Sequence, residues 1–409
     1  MEKRKIYVGL DVGIRYAMIS YYSNGMREPE TVSKVAGSEV YQVPLMLYKR
    51  KGIGQWFYGE EAALMAKGAH ELVLDDLFNH ALKKDKVVLE EQEYSYLELL
   101  TLFLKKMLML PAKLDPNVEI EQLVLTTDSL NYENMELFGS IMEKLDILPG
   151  HFSVIDYPES FYYYALSQKQ ELWLHDAVLF DYEMSDLKYY YMERNTRTTP
   201  QLVTIKERNF GPLIGKKDTA FLDVLSSAFE KRINSSVYLT GMGFEGAWME
   251  ESLRYLCGGR RVFMGKNLYS KGACYAAAVA GHLRPWGFAY MGENEIKINI
   301  SLKVHTFGEL EFYSLISAGE NWYEAAGECE LLLTGTPEVD FWIQAADSRE
   351  AKIDTLELTD LPQRPDRMTR LRIMAKPLSD SSVKVTIKDL GFGEIYRSSD
   401  KSWEYIMEL

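Results

Sequence analysis

An apolar run that ends in an aspartate occurs twice in this chain, and a second strand-like run follows it both times. The two copies are residues 6–10 with Asp11 and then 17–22, and residues 177–180 with Asp181 and then 187–192. Short runs rich in β-branched and aromatic residues, separated by turn residues, predict β-hairpins. The repetition at domain scale predicts that two halves of the chain open with the same hairpin.

Strand-like and helix-like segments alternate after each predicted hairpin. The predicted helices are residues 94–109, 132–145, 219–233, 248–257 and 273–280, and the predicted strands include 43–48, 123–127, 202–205, 237–243 and 261–264. An alternation of this kind predicts two α/β lobes. From about residue 295 the chain changes to short alternating strands separated by turn residues, which predicts an antiparallel β-sandwich.

The composition narrows the classes of partner and location. A formal net charge of −14 argues against non-specific binding to nucleic acids or anionic membranes, because both need basic patches. No window approaches the ~18 uninterrupted apolar residues of a membrane helix. The cysteines, Cys257, Cys274 and Cys329, are widely spaced, which predicts neither a disulfide framework nor a zinc site and favours a reducing cytoplasm.

The two aspartates are candidates for nucleotide chemistry. A tight turn presents backbone N–H groups to phosphate oxygens, and Gly13 would let the backbone approach closely. Asp11 and Asp181, each at the end of a first strand, would hold a hydrated Mg²⁺ between the lobes. An Asp-x-Gly sequence also occurs in ordinary turns, so a purely structural role stays open for each aspartate.

A third candidate segment is the strand that ends in Gly241-Met242-Gly243. A Gly-x-Gly turn before a helix lets an adenosine or a phosphate rest against the helix N-terminus. The same pattern also serves as a plain helix-entry turn. The predicted cofactor-binding residues are therefore Asp11, Gly13, Asp181, Gly241 and Gly243, with no catalytic residue assigned.

Several of these segments, in this order along the chain, resemble the actin-like ATPase superfamily, and most of all the seventy-kilodalton heat-shock (DnaK-like) chaperones. Residues 6–22 and 177–192 resemble the two phosphate hairpins of that family, and residues 58–63 resemble its Val-Gly-x-x-Ala segment. Residues 122–145 are similar to its strand–helix pair, while 237–244 and 267–278 are similar to its adenosine segment and closing helix.

The resemblance covers about residues 5–290 and implies a two-lobed, actin-like α/β fold. It implies a first lobe at residues 1–172, a reduced second lobe at 173–290 and a β-rich C-terminal domain at 291–409. The C-terminal strands look loosely like the substrate-binding sandwich of the chaperones. The implied cofactor, if there is one, is ATP or ADP with Mg²⁺, held by Asp11 and Asp181 through water.

The phosphate-handling positions depart from the family pattern. Ile14 stands where the family has a threonine that contacts phosphate, and Tyr157 stands at the position of the catalytic glutamate. The second turn, residues 181–186, contains no glycine and carries additional carboxylates, which repel a triphosphate. No counterpart of the phosphate-facing lysine is evident near residues 72–80, and the stretch between residues 209 and 237 is short.

These departures favour a degenerate member of the family, a pseudo-ATPase that serves as a non-hydrolysing interaction or chaperone-like module in the cytoplasm. Its predicted partners are proteins or polypeptide clients. The alternatives are a slow ATP-binding or ATP-hydrolysing chaperone, an actin-like cytoskeletal filament protein and a sugar kinase of the same superfamily. Loss of several groups that position phosphate should severely impair phosphoryl transfer, which favours the non-hydrolysing hypothesis.

Overall fold

The computed structural model describes residues 3–33, 40–52, 54–65, 73–183, 186–230, 233–346, 348 and 350–408. The chain is a mixed α/β protein and divides into two compact units. Unit 1 consists of Met1–Arg194 with Thr204–Gly287, and unit 2 consists of Asn195–Val203 with Phe288–Leu409. Met184 and Ser185, which belong to the predicted second turn, lie outside the described residues, and so does Leu72, at the start of the segment where the family has a phosphate-facing lysine.

The first part of unit 1 is built on one sheet with helices around it. Its strands are β1 (Arg4–Val12), β2 (Tyr16–Tyr22), β3 (Glu30–Thr31), β4 (Val43–Pro44), β5 (Leu47–Lys49), β6 (Trp56–Tyr58), β7 (Val73–Leu74), β8 (Lys86–Leu89), β9 (Gln92–Ser95), β10 (Val118–Thr127) and β11 (Phe152–Asp156). Its helices are α1 (Glu60–Met65), α2 (Leu77–Leu82), α3 (Tyr96–Leu108), α4 (Leu110–Leu114), α5 (Tyr132–Lys144) and α6 (Tyr157–Leu166). The first sheet has the order β11-β10-β1-β2-β3, and β4 also pairs with β2.

The second part of unit 1 repeats this arrangement. Its strands are β12 (Asp176–Glu183), β13 (Asp186–Asn195), β14 (Gln201–Asn209), β15 (Asn234–Thr240) and β16 (Arg261–Met264), and its helices are α7 (Lys217–Ala228), α8 (Glu250–Leu256) and α9 (Leu268–Ala280). The second sheet has the order β16-β15-β12-β13-β14, followed by a sixth strand at residues 288–290, and its first five strands match the order of the first sheet.

The repeat extends to the register of the strands. In the first sheet Asp11 lies beside Thr126 of the parallel strand β10, and in the second sheet Asp181 lies beside Thr240 of the parallel strand β15. The hairpin partners β2 and β13 are antiparallel to β1 and β12, as the sequence pattern predicts. The two aspartates therefore occupy equivalent positions in two sheets of the same strand order.

Local signals explain where two predicted segments differ from the structure. The predicted strand at residues 43–48 is two strands in different sheets, because the Met46 N–H bonds to the Pro44 carbonyl at 2.9 Å and closes a turn between them. The helix predicted from residue 94 begins at Tyr96. Ser95 caps it: its hydroxyl accepts the Glu98 N–H, and the Glu98 carboxylate accepts the Ser95 N–H.

Close backbone contacts fix α9 against the first sheet. A Cβ on Gly9 of β1 would collide with the main chain of Ser270 and Cys274, and a Cβ on Gly272 would collide with the Ser160 carbonyl of α6. The alanine-rich face of α9 packs with Tyr7 and other residues of the first sheet. On its other side the first sheet shares a large core with α3 and α5, and the second sheet packs on α7.

Unit 2 consists of antiparallel strands around a core of its own. Its strands are β17 (Phe288–Tyr290), which pairs with Gln201–Val203 at the start of β14, and then β18 (Ile298–Thr306), β19 (Glu309–Ile316), β20 (Gly327–Leu332), β21 (Glu338–Ala345), β22 (Ala351–Glu357), β23 (Arg370–Ser379), β24 (Ser382–Gly391) and β25 (Ser402–Glu408). Two four-stranded sheets, β19-β18-β21-β22 and β20-β23-β24-β25, contribute to one apolar core, which is the arrangement of a β-sandwich.

Candidate functional site

Asp11 lies near the end of β1 and is almost fully buried. The Tyr157 hydroxyl donates a hydrogen bond to its Oδ1 at 3.0 Å. Tyr157 is the first residue of α6, where Asp156 accepts the Glu159 N–H at 2.8 Å and fixes the start of the helix. The residue at the predicted position of a catalytic glutamate is thus a hydrogen-bond donor to the first aspartate.

Asp181 has the equivalent contact in the second sheet. The Tyr269 hydroxyl donates to its Oδ2 at 2.6 Å, and both side chains are buried. Tyr269 lies in the first turn of α9, the helix that packs on the first sheet. Each aspartate is therefore satisfied by a tyrosine hydroxyl.

The two tyrosines stack on each other. The ring centroids of Tyr157 and Tyr269 lie 3.8 Å apart, and the ring planes differ by 4°. The result is a continuous chain of contacts from Asp11 through the two rings to Asp181. Stacked aromatic rings fill space that polar phosphates and hydrated metal ions would need, so this arrangement favours packing over ligand chemistry.

The electrostatics of the two aspartates follow from their burial. Burial is the main cause that raises the pKa of Asp11 to about 7. The charges of Asp181, Glu183 and Asp128 act in the same direction, and the hydrogen bond from Tyr157 opposes them. Burial likewise raises the pKa of Asp181 to about 7. Since an aspartate ordinarily titrates near pH 4, both groups carry much less negative charge at neutral pH than exposed carboxylates would.

The predicted glycines are explained by close packing. The Gly13 N–H bonds to the Tyr16 carbonyl at 3.0 Å and closes the first hairpin turn. Gly241 has a φ of 96°, and a Cβ there would lie 2.9 Å from Asp181 Oδ1. A Cβ on Gly243 would collide with the ring of Tyr182. Among these three positions, Gly241 and Gly243 need glycine to make room for the neighbouring strand β12.

A backbone N–H of the Gly-x-Gly turn is hydrogen-bonded to a carboxylate of the chain. The Met242 N–H donates to Glu183 Oε2 at 2.8 Å. The turn leads into a single 3₁₀ turn, Met242–Phe244, and α8 begins only at Glu250. A donor that a phosphate would use at a helix N-terminus is thus bonded to the chain itself.

The structure places the predicted residues in two groups joined by the tyrosine stack. Asp11 and Gly13 lie around Tyr157, whereas Asp181, Gly241 and Gly243 lie around Tyr182 and Tyr269. Among the described residues there is no group of three or more His, Cys, Asp and Glu side chains that could hold a metal ion. Ile14, at the predicted position of the phosphate-binding threonine, is exposed.

Unit 2 contains an open groove of about 1490 Å³ between its two sheets. The edge strands β19 and β20 are in contact at one end, where a Cβ on Gly327 would collide with the Leu315 carbonyl and the Tyr313 hydroxyl donates to the Glu328 carbonyl at 3.1 Å. The groove has a mixed lining: apolar side chains such as Leu302, Val304 and Leu331 lie beside charged ones such as Lys303, Glu330 and Arg370.

The main chain of β20 offers hydrogen-bonding groups to this groove. In an antiparallel pair, alternate residues bond to a given neighbour. The Leu333 N–H bonds to the Thr369 carbonyl at 2.9 Å, on the side of β23, whereas the Glu328 carbonyl faces Tyr313 on the opposite side. By this alternation the N–H and C=O groups of Glu330 and Leu332 face away from β23. Main-chain groups of an edge strand beside apolar side chains suit an extended peptide.

The comparisons with known proteins give two family matches. The family described as "Family of unknown function (DUF5716) C-terminal" matches residues 28–293, well over half of the 409 residues. The chain belongs to this family. A second match, "Domain of unknown function (DUF8552)", covers residues 295–409. No curated protein matches the chain.

The sequence predictions for this DUF5716 family member include Glu183 only as one of the carboxylates of the second turn, and they miss two other contributors to the site. These are Tyr269 and Lys188, which forms an ion pair with Asp128 at 2.7 Å. The available signal for Lys188 was its position opposite Asp181 in the predicted hairpin. Tyr269 gave no local signal, because an aromatic residue in an apolar helix face usually indicates core packing.

No helix among the described residues is long and apolar enough to cross a membrane.

Proposed function

We propose that the chain is a non-hydrolysing interaction module, in which a two-lobed actin-like scaffold carries a polypeptide-binding, chaperone-like β-sandwich. The observation that supports the scaffold is the equivalent placement of Asp11 and Asp181 in two sheets of the same order. The observation that supports loss of hydrolysis is the stack of Tyr157 on Tyr269 between these aspartates.

The charges around the stack also disfavour a nucleotide. The negative charges of Asp128 and Glu183 lie close enough to the two buried aspartates to raise their pKa values. Lys188 has the opposite effect and stabilises the charged form of Asp181. Phosphoryl transfer depends on positioned cations and donors that stabilise charge on the phosphoryl oxygens. This site instead contains several carboxylates, which repel phosphate, and the Met242 N–H of its turn is already bonded to Glu183.

A thermal-shift titration with ATP and Mg²⁺ tests the loss of nucleotide binding. We expect no change in melting temperature at millimolar nucleotide. Binding would be visible in this assay, because a ligand at about 100 times its Kd stabilises the native state by about 2.7 kcal/mol. ADP with Mg²⁺ and Mg²⁺ alone serve as controls. Release of phosphate would replace this proposal with the slow ATPase, whereas a concentration-dependent rise with ATP without phosphate release would show a module that binds nucleotide but does not hydrolyse it. Pelleting after nucleotide addition would favour the filament protein.

A peptide-binding measurement tests the function of unit 2. The probe is a fluorescent peptide that alternates apolar and uncharged polar residues, because the groove lining combines apolar side chains with both basic and acidic ones. Leu332→Pro removes an N–H that faces away from β23, a position at which an edge strand tolerates proline. We expect it to weaken binding by about tenfold or more, as loss of a main-chain bond and strand pairing predicts.

Leu332→Ala is the matched control for that substitution. It shortens the same side chain but keeps the N–H, and we expect its affinity to stay within about twofold of the unmodified chain, since a single partly exposed side chain contributes little. Equal losses in both variants would assign binding to the side chain rather than to the main chain. No binding by the unmodified chain would contradict the polypeptide-binding role.

A further inference from the structure

We infer that Tyr269 and the Asp128–Lys188 ion pair form a clasp that holds the two sheets of unit 1 in one fixed arrangement without any ligand. This inference rests on the proposed function, in which no nucleotide joins the two lobes. The clasp consists of Asp128, Asp181, Lys188 and Tyr269. It joins the part of unit 1 built on the first sheet to the hairpin that opens the second sheet.

The first arm of the clasp starts from a rigid base. Helix α9 contacts β1 and α6 through main-chain atoms at Gly9 and Gly272. The Ser160 hydroxyl of α6 donates to the Tyr269 carbonyl at 3.2 Å, and Cys274 Sγ donates to the Tyr7 carbonyl at 3.1 Å. The start of α9 is therefore anchored to the first sheet, and the Tyr269 side chain extends from it toward the second sheet.

The stack with Tyr157 then aims Tyr269 at the second sheet. The two rings lie 3.8 Å apart and nearly parallel, so the Tyr269 ring has little freedom to turn away. Its hydroxyl donates to Asp181 of β12 at 2.6 Å. This hydrogen bond is buried, which makes loss of one partner costly for the other.

The second arm of the clasp is the ion pair between the end of β10 and the β12–β13 hairpin. Asp128 follows β10 of the first sheet and pairs with Lys188 of β13 at 2.7 Å. Asp181 and Lys188 lie directly opposite each other in the β12–β13 hairpin. Both arms therefore end on one cross-strand pair, and the hairpin is held on both of its strands.

This geometry predicts that the two sheets behave as one body. Domain closure in two-lobed proteins uses a ligand between the lobes to favour the closed state. Here side chains of the chain itself make the connecting contacts. The arrangement of the two sheets should therefore be the same with and without nucleotide.

Distance measurements between spin labels test the clasp in the full chain. The labels are attached at Lys144→Cys on α5 and Ser226→Cys on α7, which are both exposed, in a Cys257→Ser, Cys329→Ser background. We expect one narrow distance distribution that ATP with Mg²⁺ leaves unchanged. In Tyr269→Phe, Lys188→Met the distribution should broaden by about twofold or more, as expected when two states become populated.

Tyr157→Phe is the matched control, because it removes the same chemical group from the other half of the stack. Tyr157 bonds to Asp11 within the part built on the first sheet, so its distribution should stay narrow. Circular dichroism confirms that each variant is folded. A broad distribution in the unmodified chain, or a narrow one in the double variant, would overturn the clasp. Release of phosphate from ATP beside a narrow distribution would overturn only the proposed function.

Discussion

Asp11→Asn and Asp181→Asn are each expected to stabilise the protein at pH 8. Both carboxyl groups are buried, and burial raises each pKa to about 7 from an ordinary value near 4. The folded chain therefore binds more protons than the unfolded chain between about pH 4 and pH 7. Stability should fall as the pH rises through this window and level off above it. Asparagine cannot ionise, yet its Oδ1 can still accept the tyrosine hydroxyl.

The expected size follows from the pKa difference. About three pKa units correspond to on the order of 4 kcal/mol per aspartate at pH 8, as an upper bound, because one unit is about 1.4 kcal/mol. The stabilising effect should be about 3 kcal/mol smaller at pH 5, where most of the native carboxyl groups are protonated. Because Asp181 acts on Asp11, the gains of the two variants should not add fully.

Urea unfolding at pH 5 and pH 8, followed by tyrosine fluorescence, measures this difference. Asp218→Asn provides a control of opposite sign. Asp218 accepts bonds from the Ser252 hydroxyl and from the N–H groups of Glu251 and Ser252, which hold its pKa below the usual range. Its replacement should destabilise the protein by a similar amount at pH 5 and pH 8, because a lowered pKa leaves this carboxyl group charged at both pH values, and the loss should fade only below about pH 4. An equal loss of stability at both pH values in Asp11→Asn would show that this carboxylate is needed in its charged form.

Arg364→Ala is expected to destabilise unit 2 by about 3–5 kcal/mol, because it leaves a buried charge without its partner. The Arg364 side chain is 4% exposed and that of Asp389 is 0% exposed, and two hydrogen bonds of 2.8 and 2.7 Å join them. Burial alone would raise the pKa of Asp389. The bonds from Arg364, Ser399 and the Gly391 N–H nevertheless hold this pKa well below its usual range.

Hydrogen exchange at the amides of β24 measures the stability of unit 2 by itself. Arg372→Ala is the matched control, because Arg372 also bonds to a carboxylate, that of Glu330 at 2.7 Å, but lies on the surface. Exposed pairs of this kind contribute about 0–1 kcal/mol. If both substitutions cost the same, the buried pair would have no special role in holding the 364–401 region together.

Several elements of unit 1 could be predicted from the sequence. The hairpins after Asp11 and Asp181, the helix α5 and the strand β16 follow from short-range patterns of apolar and turn residues. The short strands β4 and β5 were not separated by the same reasoning. The two strands are separated by the turn that the Met46 N–H and the Pro44 carbonyl close, and the pattern of apolar residues does not predict this hydrogen bond.

Local patterns of apolar and turn residues are enough to place Asp11 and Asp181 near the ends of two similar strands, because strand length and turn residues are local properties. The resemblance to the actin-like family further predicts that Ile14 and Tyr157 replace its residues at the phosphate positions. What surrounds the two aspartates depends on tertiary packing. Tyr157 and Tyr269 come from helices far apart in the chain, and they stack because α9 packs on α6 through Gly272. Such a contact depends on the burial and packing of whole elements, which no local pattern of residues specifies.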